Sequence, residues 1–204
     1  MTTKPDHEER RRQIAEALLR IAATDGLKSA SMRAVATEAG VSLRLVQYYF
    51  TTKEGLLLDA FARLGTQLQA RMQRWIGDAR APREVVTAIL SSILPTDEES
   101  RRITRTYTAY YALVLDDPEV MGRTGAGQPD LLEGFLARQL RAAQESGGID
   151  RERDAGMTAA GLLAMVNGLG SSVLGGQRDG RAALAVLTHH LDELFRPSAP
   201  GGRL

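Results

Sequence analysis

Residues 31–53 read SMRAVATEAGVSLRLVQYYFTTK, two short amphipathic helices on either side of Gly40-Val41-Ser42, and this spacing restricts the fold more than any other part of the chain. Ser31 can N-cap a helix over 32–39 that puts Val35, Ala36 and Ala39 on one face and Arg33, Thr37 and Glu38 toward solvent. Gly40 supplies the left-handed backbone that ends this helix, Val41 fills the corner, and Ser42 offers a second N-cap oxygen for a helix from Leu43 onward. At about 100° per residue, Val46 and Phe50 face the core, Arg44 and Tyr48 point outward, and Leu45, Gln47 and Tyr49 flank them. An arginine, a leucine and a tyrosine on the outward side of a short helix have little packing reason to be there. A DNA major groove offers each a partner: guanine O6 and N7 for Arg44, a thymine methyl for Leu45, and phosphates on either wall for Gln47 and Tyr49. The same periodicity also fits a plain helical hairpin with Tyr48 and Tyr49 as half-buried surface aromatics.

The residues add a family resemblance. Ser31-Met32-Arg33-Ala34-Val35-Ala36, Ala39-Gly40-Val41-Ser42, Tyr49-Phe50 and Lys53-Glu54-Gly55-Leu56 together resemble the DNA-binding domain of the TetR family of bacterial transcription regulators. Its pattern runs T-x-R-x-I-A-x-x-A-G-V-S, then a recognition helix ending in Y-x-Y/H-F, then x-x-K-E-x-L. The resemblance implies that Ser31, Arg33, Tyr49 and Lys53 hold the DNA backbone while Leu43, Arg44, Leu45 and Tyr48 meet bases. Two positions depart from the pattern. Arg44 replaces a frequent glycine, which points to a base contact particular to this protein, and Gln47 replaces a frequent phosphate-bonding tyrosine. Lys53 also has a reason of its own, because it opens the next helix, where amides and dipole favour a phosphate.

Composition is compatible with such a regulator without identifying one. The 204 residues can bury a real core. No cysteine is present, so neither a disulfide nor a thiolate zinc site can form, in keeping with a reducing cytoplasm. The start, MTTKPDHEERRRQ, lacks the apolar stretch of a signal peptide, which points away from export. A net charge of +1 argues against a protein that coats nucleic acid indiscriminately. Its distribution is uneven: residues 1–53 carry nine Lys/Arg against six Asp/Glu, whereas residues 54–204 carry seventeen against nineteen. Lys4 and Arg10-Arg11-Arg12 are expected as a short arm before the first helix, reaching phosphates or a minor groove, or else as a solvated face.

Nearly everything else looks helical, and the predicted fold is all-α. Ile14, Leu18 and Ile21 mark a helix over 8–24, and Leu56, Leu57, Ala60, Leu64, Leu68 and Met72 mark a longer one over 53–75 that acts as a lever. Five more helices are read over 82–94, 98–116, 129–145, 151–175 and 181–195, with a further short one opened by Asp117-Pro118. The glycine-rich stretch 122–127 reads as a mobile loop and not as a phosphate cradle, because no strand precedes it. The expected organisation is a three-helix helix-turn-helix domain over 1–50, continuous with a helical ligand-binding and dimerisation domain over 51–196, and a disordered tail over 197–204.

Residues 155–177 carry no formal charge and are long enough to cross a bilayer, but they include six glycines and several polar side chains. They are read instead as a helix buried on nearly all sides, whose stripe of Gly161, Ala164, Gly168 and Ser171/Ser172 admits a close neighbour. With Leu184, Leu187, Leu191 and Leu194 of the last helix, that stripe predicts a homodimer, as the resemblance also implies, with the monomer core as the alternative use. Trp75, Tyr107, Tyr110, Tyr111, Met121, Phe135 and Met165, with Asn167 on the buried helix, are expected to line a small-molecule effector site or to be ordinary core and surface residues. Arg101, Arg102 and Arg105 leave room for an anionic effector. His189 and His190 diverge around their helix, His7 falls in a terminus expected to fray, and no catalytic, metal or cofactor motif is found. The expected partners are therefore a double-stranded DNA operator, an effector and a second copy of the chain, with no membrane. The competing reading is an all-helical small-molecule-binding or interaction module that does not bind DNA.

Overall fold

The computed structural model describes residues 4–116 and 127–196. Among them every regular element is helical: α1 (Lys4–Thr24), a 3-10 turn (Leu27–Ser29), α2 (Met32–Glu38), α3 (Leu43–Tyr49), α4 (Lys53–Ile76), α5 (Pro82–Ile93), α6 (Glu98–Asp116), α7 (Gly127–Glu145), α8 (Ala155–Leu174) and α9 (Gly180–Leu194). The short helix expected at Asp117-Pro118, Met121 of the expected effector site, most of the glycine-rich loop and the tail lie outside the described residues. Two compact units result, one from residues up to 69 together with 105–116, the other from 70–104 together with 127–196.

In the first unit α1 packs against α2 and the 3-10 turn, and α2 packs against α3. Ile14, Leu18 and Ile21 of α1, Val35 and Ala36 of α2, Val46 of α3, Phe50, and Leu56, Leu57, Ala60 and Leu64 of α4 are all buried. The three- and four-residue spacings of the sequence thus mark the inward faces. The first helix starts at Lys4, four residues earlier than the apolar pattern indicates, and polar side chains pair along its outer face. Arg12 pairs with Glu9 and Glu16, each at 2.6 Å, and Arg10 donates to Gln13 at 3.1 Å. The three arginines expected as an arm are therefore helical, and Arg11 is taken up by Asp59 of α4 at 2.9 Å.

In the second unit α5 touches α7, α8 and α9, while α8 also touches α7 and α9. Their shared core includes Val86, Ile89, Leu90, Leu136, Leu140, Ala159, Val166, Ala183, Leu187 and Leu191. Gly180 opens α9 where a Cβ would come within 3.0 Å of the Thr96 backbone, so any side chain there would force the two segments apart. The helix expected from 151 starts at Ala155, because Asp154 caps it by accepting the Met157 amide at 2.9 Å. Asp179 does the same for α9 through the Ala182 amide at 2.7 Å.

Helix α8 is not buried on all sides. Ala155, Ala159, Leu162, Val166, Leu169, Gly170 and Val173 face inward, whereas Gly161, Ala164, Asn167, Gly168 and Ser171 are exposed. Absence of charge was a poor guide to burial here, since the outward face is neutral through small and uncharged polar residues. By length and hydropathy this helix could cross a membrane, but its inward face is packed against three neighbouring helices.

The charged Arg71, near the end of α4, is 3% exposed. Its Nε donates to the Ser92 carbonyl at 2.7 Å, and its two terminal nitrogens donate to Asp97 at 2.6 Å and Glu99 at 2.8 Å. The Trp75 ring lies 5.5 Å from the same guanidinium. Every face of a buried cation is thus matched, which is the condition for keeping it charged.

Candidate nucleic-acid interface

Local chemistry fixes α2 and α3. The Ser31 hydroxyl accepts the Ala34 amide at 3.1 Å and the Ser42 hydroxyl accepts the Leu45 amide at 3.2 Å, so each short helix has its exposed N-terminal amides partly satisfied. Gly40 between them has φ +65°, a left-handed conformation that other residues rarely adopt, and the Val41 amide reaches back to the Ala36 carbonyl at 2.9 Å. Next, α4 opens with Thr52 accepting the Gly55 amide at 3.1 Å, a cap for which a threonine before a helix is the usual signal.

On α3 the inward and outward faces separate as the periodicity predicts. Val46 and the following Phe50 are buried; Arg44, Gln47 and Tyr48 are exposed, the last by 71%; Leu43, Leu45 and Tyr49 are half-buried. Ser31 and Arg33 are exposed at the start of α2, and Lys53 is half-buried at the start of α4. All nine predicted positions thus fall on one short stretch of one unit. Arg11, Arg12, Arg20 and Arg63 are held by carboxylates of this unit, with Arg20 on Glu38 at 2.6 Å. Arg33 and Arg44 take part in no ion pair among the described residues.

The residues considered for an effector divide between the two units. In the first, Tyr110 lies 4.4 Å from Phe61 and 5.9 Å from Tyr111, ring centre to ring centre. Burial, with Tyr111 and Tyr110 nearby, pushes the Tyr107 hydroxyl up to about 12, and burial likewise raises Tyr111, so both stay protonated donors at neutral pH. Phe61 was not singled out in the sequence, because only the fold brings α4 to α6. In the second unit Trp75 is exposed beside Arg71, and Phe135 is half-buried with Arg138 over its ring at 5.5 Å. Met165 lines a surface depression of about 400 Å³ with Thr158, Gly161, Leu162, His190 and Leu194. Asn167 is on the exposed face of α8 and not on a buried one. His7, expected in a terminus that frays, is placed within α1, 4.6 Å from the Tyr49 ring.

Residues 14–60 match the family model described as bacterial regulatory proteins of the tetR family, and residues 82–196 match the one described as the C-terminal part of BetI-type transcriptional repressors. The chain belongs to the TetR family. It is 31% identical over 169 residues to the HTH-type transcriptional regulator PksA of Bacillus subtilis (strain 168), covering 83% of this chain and 80% of that protein. It is 28% identical to the HTH-type transcriptional regulator BetI of Burkholderia thailandensis over 93% of this chain and 95% of the relative. A solved transcriptional regulator from Rhodococcus sp. Rha1 superposes with a TM-score of 0.78 at 27% identity, over 90% of this chain and 95% of the other. The TetR chain described here is accordingly a DNA-binding transcriptional regulator, and its curated relatives carry the names of regulators and not of enzymes.

Proposed function

We propose that this TetR-family protein is a ligand-responsive repressor that binds a palindromic operator as a homodimer in the cytoplasm, without a catalytic step. The observation that carries the reading is the outward face of α3: Arg44 and Tyr48 are exposed on a helix whose opposite face, Val46, is fully buried. In this reading residues 1–50 form the DNA-binding domain. Leu43, Arg44, Leu45 and Tyr48 meet bases, while Ser31, Arg33, Gln47, Tyr49 and Lys53 hold phosphates. The Lys53 charge adds to the free amides and dipole at the start of α4.

A single short helix reads few base pairs and binds weakly. Two copies placed about 34–36 Å apart read successive major grooves on one side of the duplex. The neutral small-residue face of α8 is the surface assigned to the second copy; Leu187, Leu191 and Leu194 of α9, expected to share in it, are buried in the core of the single chain instead. Effector binding is assigned to the helical domain over 51–196, with Tyr107, Tyr110 and Tyr111 supplying ring faces and hydroxyl donors. An effector releases DNA only through its preference for the form that cannot bind. Moving 99:1 in favour of one form to 99:1 in favour of the other takes about 5.5 kcal/mol of differential affinity.

Selection of bound sequences from random duplexes tests the reading directly. Enrichment of a palindrome with half-sites one helical turn apart is expected. Enrichment of a single asymmetric site, or of none, would overturn the paired mode.

A further inference from the structure

One contact near the recognition helix serves neither hydrophobic core. His7 of α1 lies 4.6 Å from the Tyr49 ring and 6.1 Å from the Tyr48 ring, at interplanar angles of 52° and 71°. Tyr48 and Tyr49 are 5.2 Å apart and nearly perpendicular, at 88°. The three rings close a triangle, and two of them, His7 and Tyr48, are exposed. Consecutive residues diverge by about 100° around a helix, and His7 adds to each of the two tyrosine rings a contact from a second helix. Edge-on and tilted ring pairs at these separations are attractive.

His7 is itself held in place. Arg63 of α4 donates to Glu8 at 2.5 Å and to Asp59 at 2.7 Å, and Asp59 also binds Arg11, whose guanidinium lies 5.0 Å from the Phe50 ring that closes α3. This network ties the turn of α1 that carries His7 to α4 and to the end of the recognition helix.

We infer that His7 is a positioning residue for DNA binding: its ring braces Tyr48 and Tyr49 so that the duplex meets phenols already set in place. The inference rests on the reading that these two tyrosines contact DNA. An exposed side chain that must be ordered on binding weakens the complex, and a brace formed in the free protein removes that cost beforehand. Ring packing, and not charge, does the bracing, so phenylalanine at this position should serve as well as histidine.

The test is a fluorescence-anisotropy titration of the palindrome that the wild-type protein selects. His7→Ala is expected to weaken binding about tenfold, the effect of leaving two ring side chains to be ordered by the DNA, while His7→Phe stays within about twofold of wild type. In a background carrying Tyr48→Ala and Tyr49→Ala, His7→Ala should have no further effect, because nothing is left to brace. The brace is overturned if His7→Ala binds like wild type, if His7→Phe is as weak as His7→Ala, or if the His7→Ala loss persists without the tyrosines. If instead the double tyrosine variant binds like wild type, the assignment of those tyrosines to DNA fails as well, which separates the two readings. Nuclear Overhauser contacts between the His7 and Tyr49 rings in the free protein check the brace without DNA; their absence would overturn it.

Discussion

Arg44 separates this chain from the common TetR pattern, and its surroundings leave the guanidinium available. The side chain is exposed and takes part in no ion pair among the described residues, whereas Arg11, Arg12, Arg20 and Arg63 are committed to carboxylates. Arg44→Ala should therefore lose about 1–3 kcal/mol of discrimination at one base pair in each half-site and little elsewhere. Competition with duplexes substituted one pair at a time will show it, and a uniform loss across all positions would instead mark a phosphate contact. Ser42 acts on the fold and not on the bases. Its hydroxyl satisfies the Leu45 amide, so Ser42→Ala should lower stability by about 1 kcal/mol, with Ser42→Gly costing only a few tenths. Urea unfolding measures both.

Helices α4 and α8 carry the next two expectations. Near the end of α4, Arg71 ties together the Ser92 carbonyl, Asp97 and Glu99. Its two carboxylate partners are nearly half exposed, so removing the arginine leaves them free to hydrate and costs less than breaking a fully buried pair. Arg71→Ala is expected to destabilise the protein by about 2 kcal/mol, largely through the lost carbonyl bond and the void beside Trp75. A loss under about 0.5 kcal/mol in urea unfolding would show the cluster to be dispensable. On α8, a Cβ at Gly168 would meet nothing within 4 Å in the single chain. Gly168→Glu should consequently leave the fold of one copy intact while placing a charge in the assigned dimer surface. Sedimentation equilibrium should find a monomer with native helicity; a dimer of unchanged affinity would move the interface elsewhere.

For the protein as a unit, acid sensitivity follows from the same cluster. Burial pushes the Asp97 carboxyl up, but the Ser100 amide and the Arg71 guanidinium outweigh it and hold the group below its ordinary value. Glu99 is held down by Arg74, against partial burial and with help from Arg71. Groups with depressed values in the folded state add stability that is complete above the ordinary carboxylate range, about 4, and is lost as pH falls below it through the folded values. Wild type should thus lose stability below about pH 4, and Arg71→Ala should lose less over that interval because one of the cations that holds both carboxylates down is gone, leaving Ser100 to Asp97 and Arg74 to Glu99. Parallel slopes in acid unfolding would exclude Arg71 as a source of the acid sensitivity. Much of this architecture was legible from local signals. The two serine caps, the left-handed Gly40 and the apolar spacings of α1 and α3 act over three or four residues, and backbone geometry forces the same outcome wherever such strings occur. The true start of α1 was not legible, because its first turn carries no apolar spacing to mark it. Nor was the exposed face of α8, since absence of charge does not distinguish a buried face from one open to solvent. The Arg71 cluster, the Phe61–Tyr110 contact and the packing of His7 on Tyr48 and Tyr49 depend on residues 21 to 49 positions apart. Their chemistry is unremarkable in the string, and what makes them partners is the close packing of helices, which no short-range pattern encodes.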